Sequence, residues 1–274
     1  MSSRPSAAQW ALLSPTERAT FRIAELAHLP WTRKLPGMWV AGLPGGMIWI
    51  SGGRRFRTFG TEELDRRFDR RSSLIVVANH RSFFDFYVIC AMIHWRTHLS
   101  KRTLFPVRSE FFYDHPLGVV VNATMSGLTM FPPVVRDPKR AAFNRYSLER
   151  CVEELEVPGT IVGVHPEGTR NKGDDPYSFL PAQPGVGRVI VRASAPVVPV
   201  FVHGLSNSIP RELRLNVTAP HDHPIDILFG EPVDMSDLRA KGSRAATNKR
   251  AADRALDAIG ELGDRHRREL AGRR

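Results

Sequence analysis

Cysteine is almost absent. The 274 residues contain two, Cys90 and Cys151, both in apolar or helical surroundings. That excludes a disulfide framework and a cysteine-based zinc spacing, and it fits reduced core thiols in a reducing cytoplasm. Long apolar runs are missing as well. The clearest charge-free stretch, residues 35–50, is interrupted by Pro36, Gly37, Gly42, Pro44, Gly45 and Gly46. It is also shorter than the roughly 20 residues a spanning helix needs, so a single straight span is not expected. No basic segment followed by an apolar core and a cleavage site opens the chain, so a secretory signal is not expected. No internal repeat or low-complexity linker divides it. The length suits one large domain with small appendages.

What is present is enough to build a core: 42% of the residues are hydrophobic and 9% aromatic. The net charge is +11, and it is unevenly spread. Residues 1–71 hold 12 Lys/Arg against 6 Asp/Glu, and residues 239–274 hold 11 against 5. The middle is close to neutral, with 16 against 17. Basic ends suit a polyanion partner, either an anionic membrane surface or nucleic acid, or they simply solubilise exposed helices. No nucleic-acid-binding pattern of interleaved basic and aromatic residues accompanies them, so no nucleic acid is expected.

Three segments follow from this. Residues 1–53 read as a helical, membrane-associating segment. Ser14, Pro15 and Glu17 mark a helix start, and Pro30 ends that helix. Residues 35–50 carry Trp39 and Trp49 between Arg33-Lys34 and Arg54-Arg55, a composition that suits a segment lying in the membrane interface. The alternative is a glycine-rich element packed on the domain.

Residues 54–240 read as the catalytic body. Strands are expected at Phe56–Phe59, Leu74–Ala78, 103–107, Thr160–Val164, 196–202, 214–219 and Ile225–Phe229, with helices over 84–98, 110–124, 139–157 and 187–193. That alternation predicts an α/β fold, a mixed, largely parallel sheet flanked by helices. Residues 241–274 read as a basic helix that packs on the domain or extends it, with Ala252, Leu256, Ile259 and Leu262 on one face.

Two of the buried strands run straight into chemically loaded loops. Leu74–Ala78 is followed by Asn79, His80, Arg81, Ser82 and, five positions after the histidine, Asp85. Thr160–Val164 is followed by His165, Pro166, Glu167, Gly168, Thr169 and Arg170. The carboxyl ends of parallel strands share one edge of a sheet, where ligands bind. His80, Asp85, Glu167 and Arg170 are therefore expected to converge. A histidine there can take a proton near neutral pH, and a carboxylate can hold its tautomer. Gly168 would let backbone N–H groups approach a ligand or a developing oxyanion, and Arg170 could grip a phosphate.

Asn79-His80-Arg81-Ser82-Phe83-Phe84-Asp85 resembles the N-H-x-S-x-x-D motif of the glycerolipid acyltransferases, which include 1-acylglycerol-3-phosphate acyltransferase. Pro166-Glu167-Gly168-Thr169-Arg170 resembles their P-E-G-T-R motif, and residues 196–200 resemble the later apolar motif ending V-P-V. Order and spacing agree over about residues 55–235. The resemblance implies acyl transfer from acyl-CoA or acyl carrier protein to a lysophospholipid hydroxyl at the cytoplasmic side of the cell membrane, by a peripheral or monotopic protein without a cofactor. It implies His80 as general base, Asp85 as its support, and Arg136, Glu167, Gly168, Thr169 and Arg170 as acceptor-binding residues.

The chain departs from the family in three places. Arg136 follows Gly127 at longer range than usual and after Pro132-Pro133. His165 stands where the family has an aromatic residue and is expected to fill space. Where the family often has a Phe-Lys pair before a glycine, the run here is Phe179-Leu180-Pro181-Ala182-Gln183-Pro184-Gly185, without the lysine. An acceptor other than a glycerophosphate, or a catalytically silent lipid-binding protein on the same fold, are the rival readings. No G-x-S-x-G elbow exists, so no acyl-enzyme is expected, and Ser82 reads as a turn-stabilising hydroxyl. No metal is expected. His94 and His98 read as a surface pair, and His221-Asp222-His223 as a polar loop.

Overall fold

A computed structural model describes residues 4–271, apart from residues 101, 116 and 136. Its centre is a six-stranded sheet. In chain order the strands are β1 (Phe56–Phe59), β2 (Leu74–Ala78), β3 (Arg102–Leu104), β4 (Val107–Arg108), β5 (Pro133–Val134), β6 (Thr160–Val164), β7 (Val197–His203) and β8 (Ile225–Phe229). The sheet order is β1-β8-β7-β2-β6-β3, while β4 and β5 form a separate parallel pair. All neighbours in the large sheet are parallel except β7 and β8. The fold is therefore mixed α/β with a largely parallel sheet.

All residues of β2, β6 and β8 are buried. Continuous apolar runs without alternation are what a sheet covered on both faces requires. Helices supply the cover. Helix Asp85–Arg96 is buried from Asp85 through His94. Helix Ala245–Ala271 packs on helix Pro184–Arg192 and β7. At Gly187 a Cβ would lie 1.7 Å from the Asn248 carbonyl oxygen, so only glycine permits that approach.

Several local expectations change. Residues 214–218 belong to helix Ile209–Thr218, which Ala219 caps, and not to a strand. The Ser208 hydroxyl accepts from the Arg211 N–H and Pro210 sits in the first turn, so an upstream cap overrides the β-branched residues that follow. The expected strand at 103–107 is two strands, because Pro106 lacks the N–H that would continue the ladder. The expected helix at 110–124 is two helices, Ser109–Phe112 and Gly118–Ser126. Residues 35–50 lie in one helix, Leu35–Gly52, that tolerates Pro44 inside it. Among the described residues no helix is long and apolar enough to cross a membrane. His94 is buried and His98 lies beyond the helix end, paired with Asp65 at 2.7 Å, so the two do not form a surface pair. Cys90 and Cys151 are buried and free.

Candidate active site

The strand order decides the site. β2 pairs with β6 on one side and β7 on the other, all three parallel. Their carboxyl ends therefore deliver residues 79–85, 165–170 and 204–208 to one edge. The loop after β2 is laced to both neighbours. Asn79 extends the β7 ladder, its amide donating to the Val202 carbonyl (2.9 Å) and accepting from the Val202 N–H (2.8 Å). His165 bonds the Ala78 carbonyl through Nδ1 at 3.0 Å.

His80 and Asp85 meet as expected, Nδ1 to Oδ2 at 3.2 Å. The same carboxylate oxygen accepts the backbone N–H groups of Arg81 and Ser82, each at 2.8 Å. A tight turn makes this possible. The Ser82 hydroxyl donates to the Ser206 carbonyl and accepts from the Phe84 N–H, so it serves the turn. Asp85 is also the first residue of its helix, where the helix dipole favours a carboxylate.

Burial pushes Asp85 up to about 6, although the neighbouring His165 and the two backbone N–H groups oppose the rise. Burial, and then the charge of Arg170, push His80 down to about 4. At neutral pH the pair is therefore carboxylate and neutral imidazole. The carboxylate fixes Nδ1 as the donor, which leaves the Nε2 lone pair as a base. The His80 side chain keeps 22% of its exposure, while Asp85 keeps 1%.

Glu167 converges on His80, as expected, through the His80 main chain. Its carboxylate is buried, and both oxygens are engaged by main chain: Oε1 by the His80 N–H (2.9 Å) and Oε2 by the Leu180 N–H (2.8 Å). Burial raises its pKa, and those two hydrogen bonds work against the rise. Gly168 has φ +64°, in the left-handed region. Its N–H donates to the His165 carbonyl at 2.9 Å, so that N–H is taken and is not an open oxyanion donor. Thr169 is half-buried. Arg170, also half-buried, donates to the Asn207 side-chain oxygen at 3.0 Å, and the Phe83 N–H donates to the same oxygen at 2.8 Å. Asn207 thus joins the two motif loops. Arg136 lies outside the described residues.

One residue that sequence reading missed stands at the site, and one that it named has an unexpected partner. Arg108, at the end of β4, donates to the Gly168 carbonyl at 2.8 Å. No local signal marks it, because it arrives through the pairing of β4 with β5. His165 does fill space, but it fills it by stacking on the His80 ring, centroids 4.0 Å apart. Its position before Pro166 was visible; its partner was not.

One group has metal-ligand character. Ligand atoms of His203, Asp226 and His266 lie within 4.8 Å of one another. Arg57, however, holds both Asp226 oxygens at 2.5 Å, and His266 Nε2 bonds Oδ2 at 2.8 Å. Burial pushes Asp226 up, but the hydrogen bonds from His266 and Arg57 outweigh it and hold the carboxyl below its usual range. With a guanidinium already matched to the carboxylate, this is a buried ion-pair network.

The Acyltransferase family model matches residues 56–203, more than half of the chain. A 1-acyl-sn-glycerol-3-phosphate acyltransferase, BAT2, chloroplastic, of Brassica napus is 27% identical over 136 residues. That match covers 50% of this chain and 34% of the plant protein, so the chain matches only about a third of that relative's length. Among solved structures, the 1-acyl-sn-glycerophosphate (LPA) acyltransferase PlsC from Thermotoga maritima is similar with a TM-score of 0.50 and 18% identity. That likeness covers 93% of this chain and 85% of the other, and it is one of fold. With its two motif loops brought to one sheet edge and its central 148 residues matched, the chain belongs to the acyltransferase family.

Proposed function

We propose that the protein transfers a fatty acyl group from acyl-CoA or acyl carrier protein to the free hydroxyl of a lysophospholipid, 1-acylglycerol-3-phosphate giving phosphatidic acid. The observation that carries this reading is the neutral His80 whose Nδ1 is engaged by buried Asp85. His80 Nε2 takes the hydroxyl proton as the acceptor oxygen attacks the thioester carbonyl carbon. The tetrahedral intermediate then expels the thiolate by C–S cleavage, and the imidazolium returns the proton to sulfur. The products are an ester and a free thiol, and no acyl-enzyme forms. A positioned base of this kind contributes a factor of about 10²–10⁴.

The acceptor assignment rests on the names of the two relatives and on the arginines. Arg170 and Arg108 flank the Gly168 turn and suit a phosphate that must be held while its neighbouring hydroxyl reacts. Arg136 keeps the phosphate-binding role that its motif implies. Gly168 and Thr169 line the acceptor side of the turn. Glu167 acts inward, holding the His80 backbone. The protein works peripherally or monotopically at the cytoplasmic face of the cell membrane, with helix Leu35–Gly52 in the interface.

The test is thiol release from acyl-CoA of several chain lengths, and from acyl carrier protein, over a panel of lysolipids. Turnover with lysophosphatidic acid, lost in His80→Ala, is the expected result. Undiminished turnover in His80→Ala sinks the mechanism. Turnover confined to a phosphate-free acceptor sinks the acceptor assignment, and none with any acceptor favours a lipid-binding protein.

A further inference from the structure

Helix Leu35–Gly52 is apolar around its whole circumference. One side, with Pro36, Val40, Ala41, Pro44 and Ile48, is buried against the protein. The other side carries Leu35, Met38, Trp39, Leu43, Met47 and Ile50, exposed by 44–67%. These positions recur at spacings of three and four, so they form one continuous stripe. An apolar helix face of this length left in water needs a cover.

The stripe does not end with its own helix. Leu117, Val120, Val121 and Thr124 lie at i, i+3, i+4 and i+7, on one face of the segment around helix Gly118–Ser126. The three apolar ones are 63%, 53% and 42% exposed. The Thr124 carbonyl accepts the Trp39 indole N–H at 2.9 Å, which brings this face beside the stripe. On helix Ile209–Thr218, Leu213 and Val217 are one turn apart and also exposed. Asn216, between them, donates to the Ile50 carbonyl and accepts from the Arg54 N–H, each at 2.9 Å. Side-chain hydrogen bonds thus pin both neighbouring helices to the two ends of the apolar helix.

We propose that these three helices form one composite face that seats on an anionic bilayer, rather than the N-terminal segment acting alone. The proposal rests on the membrane reading given above and enlarges its contact. Charge argues for a bilayer as the occupant. Arg33 and Lys34 precede the apolar helix, Arg54 follows it, and Arg211 and Arg214 lie on the helix beside it. A rim of cations around an apolar stripe with tryptophans is matched to acyl chains below anionic headgroups. The opposite, buried side of the same helix adjoins the catalytic loop. Ile48 and Gly52 meet Phe84, Leu205 and Ile209 around a gap of about 10 Å³, and Phe84 immediately precedes Asp85.

Full-length protein is sedimented with phosphatidylcholine vesicles, with and without phosphatidylglycerol. Three pairs of substitutions are compared: Met38→Asp with Ile50→Asp, Val120→Asp with Val121→Asp, and Leu213→Asp with Val217→Asp. Each pair is expected to weaken binding about tenfold, while turnover on detergent-solubilised substrate stays at the wild-type level. The reverse substitutions Val120→Trp and Val217→Trp are expected to strengthen binding, which covers the case of an acidic pair that fails to fold. If the two flanking pairs bind as wild type while the central pair does not, the composite face is wrong and the membrane reading stands. If wild-type protein does not bind vesicles, both fail. A dimer in solution that the flanking pairs dissolve makes the face a self-association surface and overturns the proposal.

Discussion

The imidazole rings of His80 and His165 lie face to face, centroids 4.0 Å apart and planes 6° from parallel. Burial and the neighbouring His80 push His165 down to about 3, so both rings are neutral at working pH. His165 is fixed from behind by the Ala78 carbonyl, and its face holds the His80 ring against rotation. It also keeps water from that face, and burial is the main reason the His80 pKa is low.

His165→Phe keeps a ring in the stack and is expected to retain kcat within about threefold. His165→Ala opens the face and is expected to lower kcat by about tenfold. The acid limb of its rate profile should move up toward the ordinary histidine value of about 6.5. Steady-state kinetics across pH check this. An alanine variant with an unmoved acid limb would mean that the ring only fills space.

The rate should fall toward acid. Asp85 gains a proton near pH 6 and then ceases to accept from Nδ1–H, and His80 itself is protonated near 4. The two groups interact, so the measured steps belong to the pair. A log kcat/KM profile is expected to be flat above about pH 7 and to decline between about 6 and 4. A histidine base without burial or an Asp partner would instead lose rate around its free value of about 6.5.

Glu167→Gln tests the inward role of that carboxylate. An amide can offer only one oxygen to the two backbone N–H groups that the carboxylate accepts. Its NH₂ would face a donor, at a cost of about 1–3 kcal/mol in a buried site. The expected result is a lower unfolding midpoint and a reduced kcat, with the KM for lysophosphatidic acid little changed. A large KM increase at unchanged stability would return Glu167 to the acceptor.

Arg170→Ala and Arg108→Ala are expected to act on acceptor binding. Each removes a charged hydrogen-bond donor beside the Gly168 turn, a change of about 10–100-fold in KM for a phosphorylated acceptor. A monoacylglycerol without phosphate should be affected much less by either change. Equal losses on both acceptors would assign the arginines to folding of the loop.

The sequence alone determined the two catalytic loops, because each follows a short buried strand and each carries its chemistry within a few consecutive residues. It also determined most helix and strand positions, since caps, prolines and apolar periodicity are local signals. His80 and Asp85 were legible for that reason: five residues on one turn can reach each other without help from the rest of the chain. Where two local signals competed, as at residues 214–219, the upstream Ser208 cap won over the β-branched residues. The tertiary structure decided everything that depends on strand order. Seating β6 beside β2 brought His165 onto His80 and turned Glu167 toward the His80 backbone. Pairing β4 with β5 presented Arg108 to the Gly168 turn, and Asn207 joined the two loops from a third strand end. It also left one side of helix Leu35–Gly52 uncovered, although its composition would equally suit a buried helix. Contacts between residues about 60–130 positions apart are fixed by which strands pair and which faces are covered, and no local stretch of sequence encodes that.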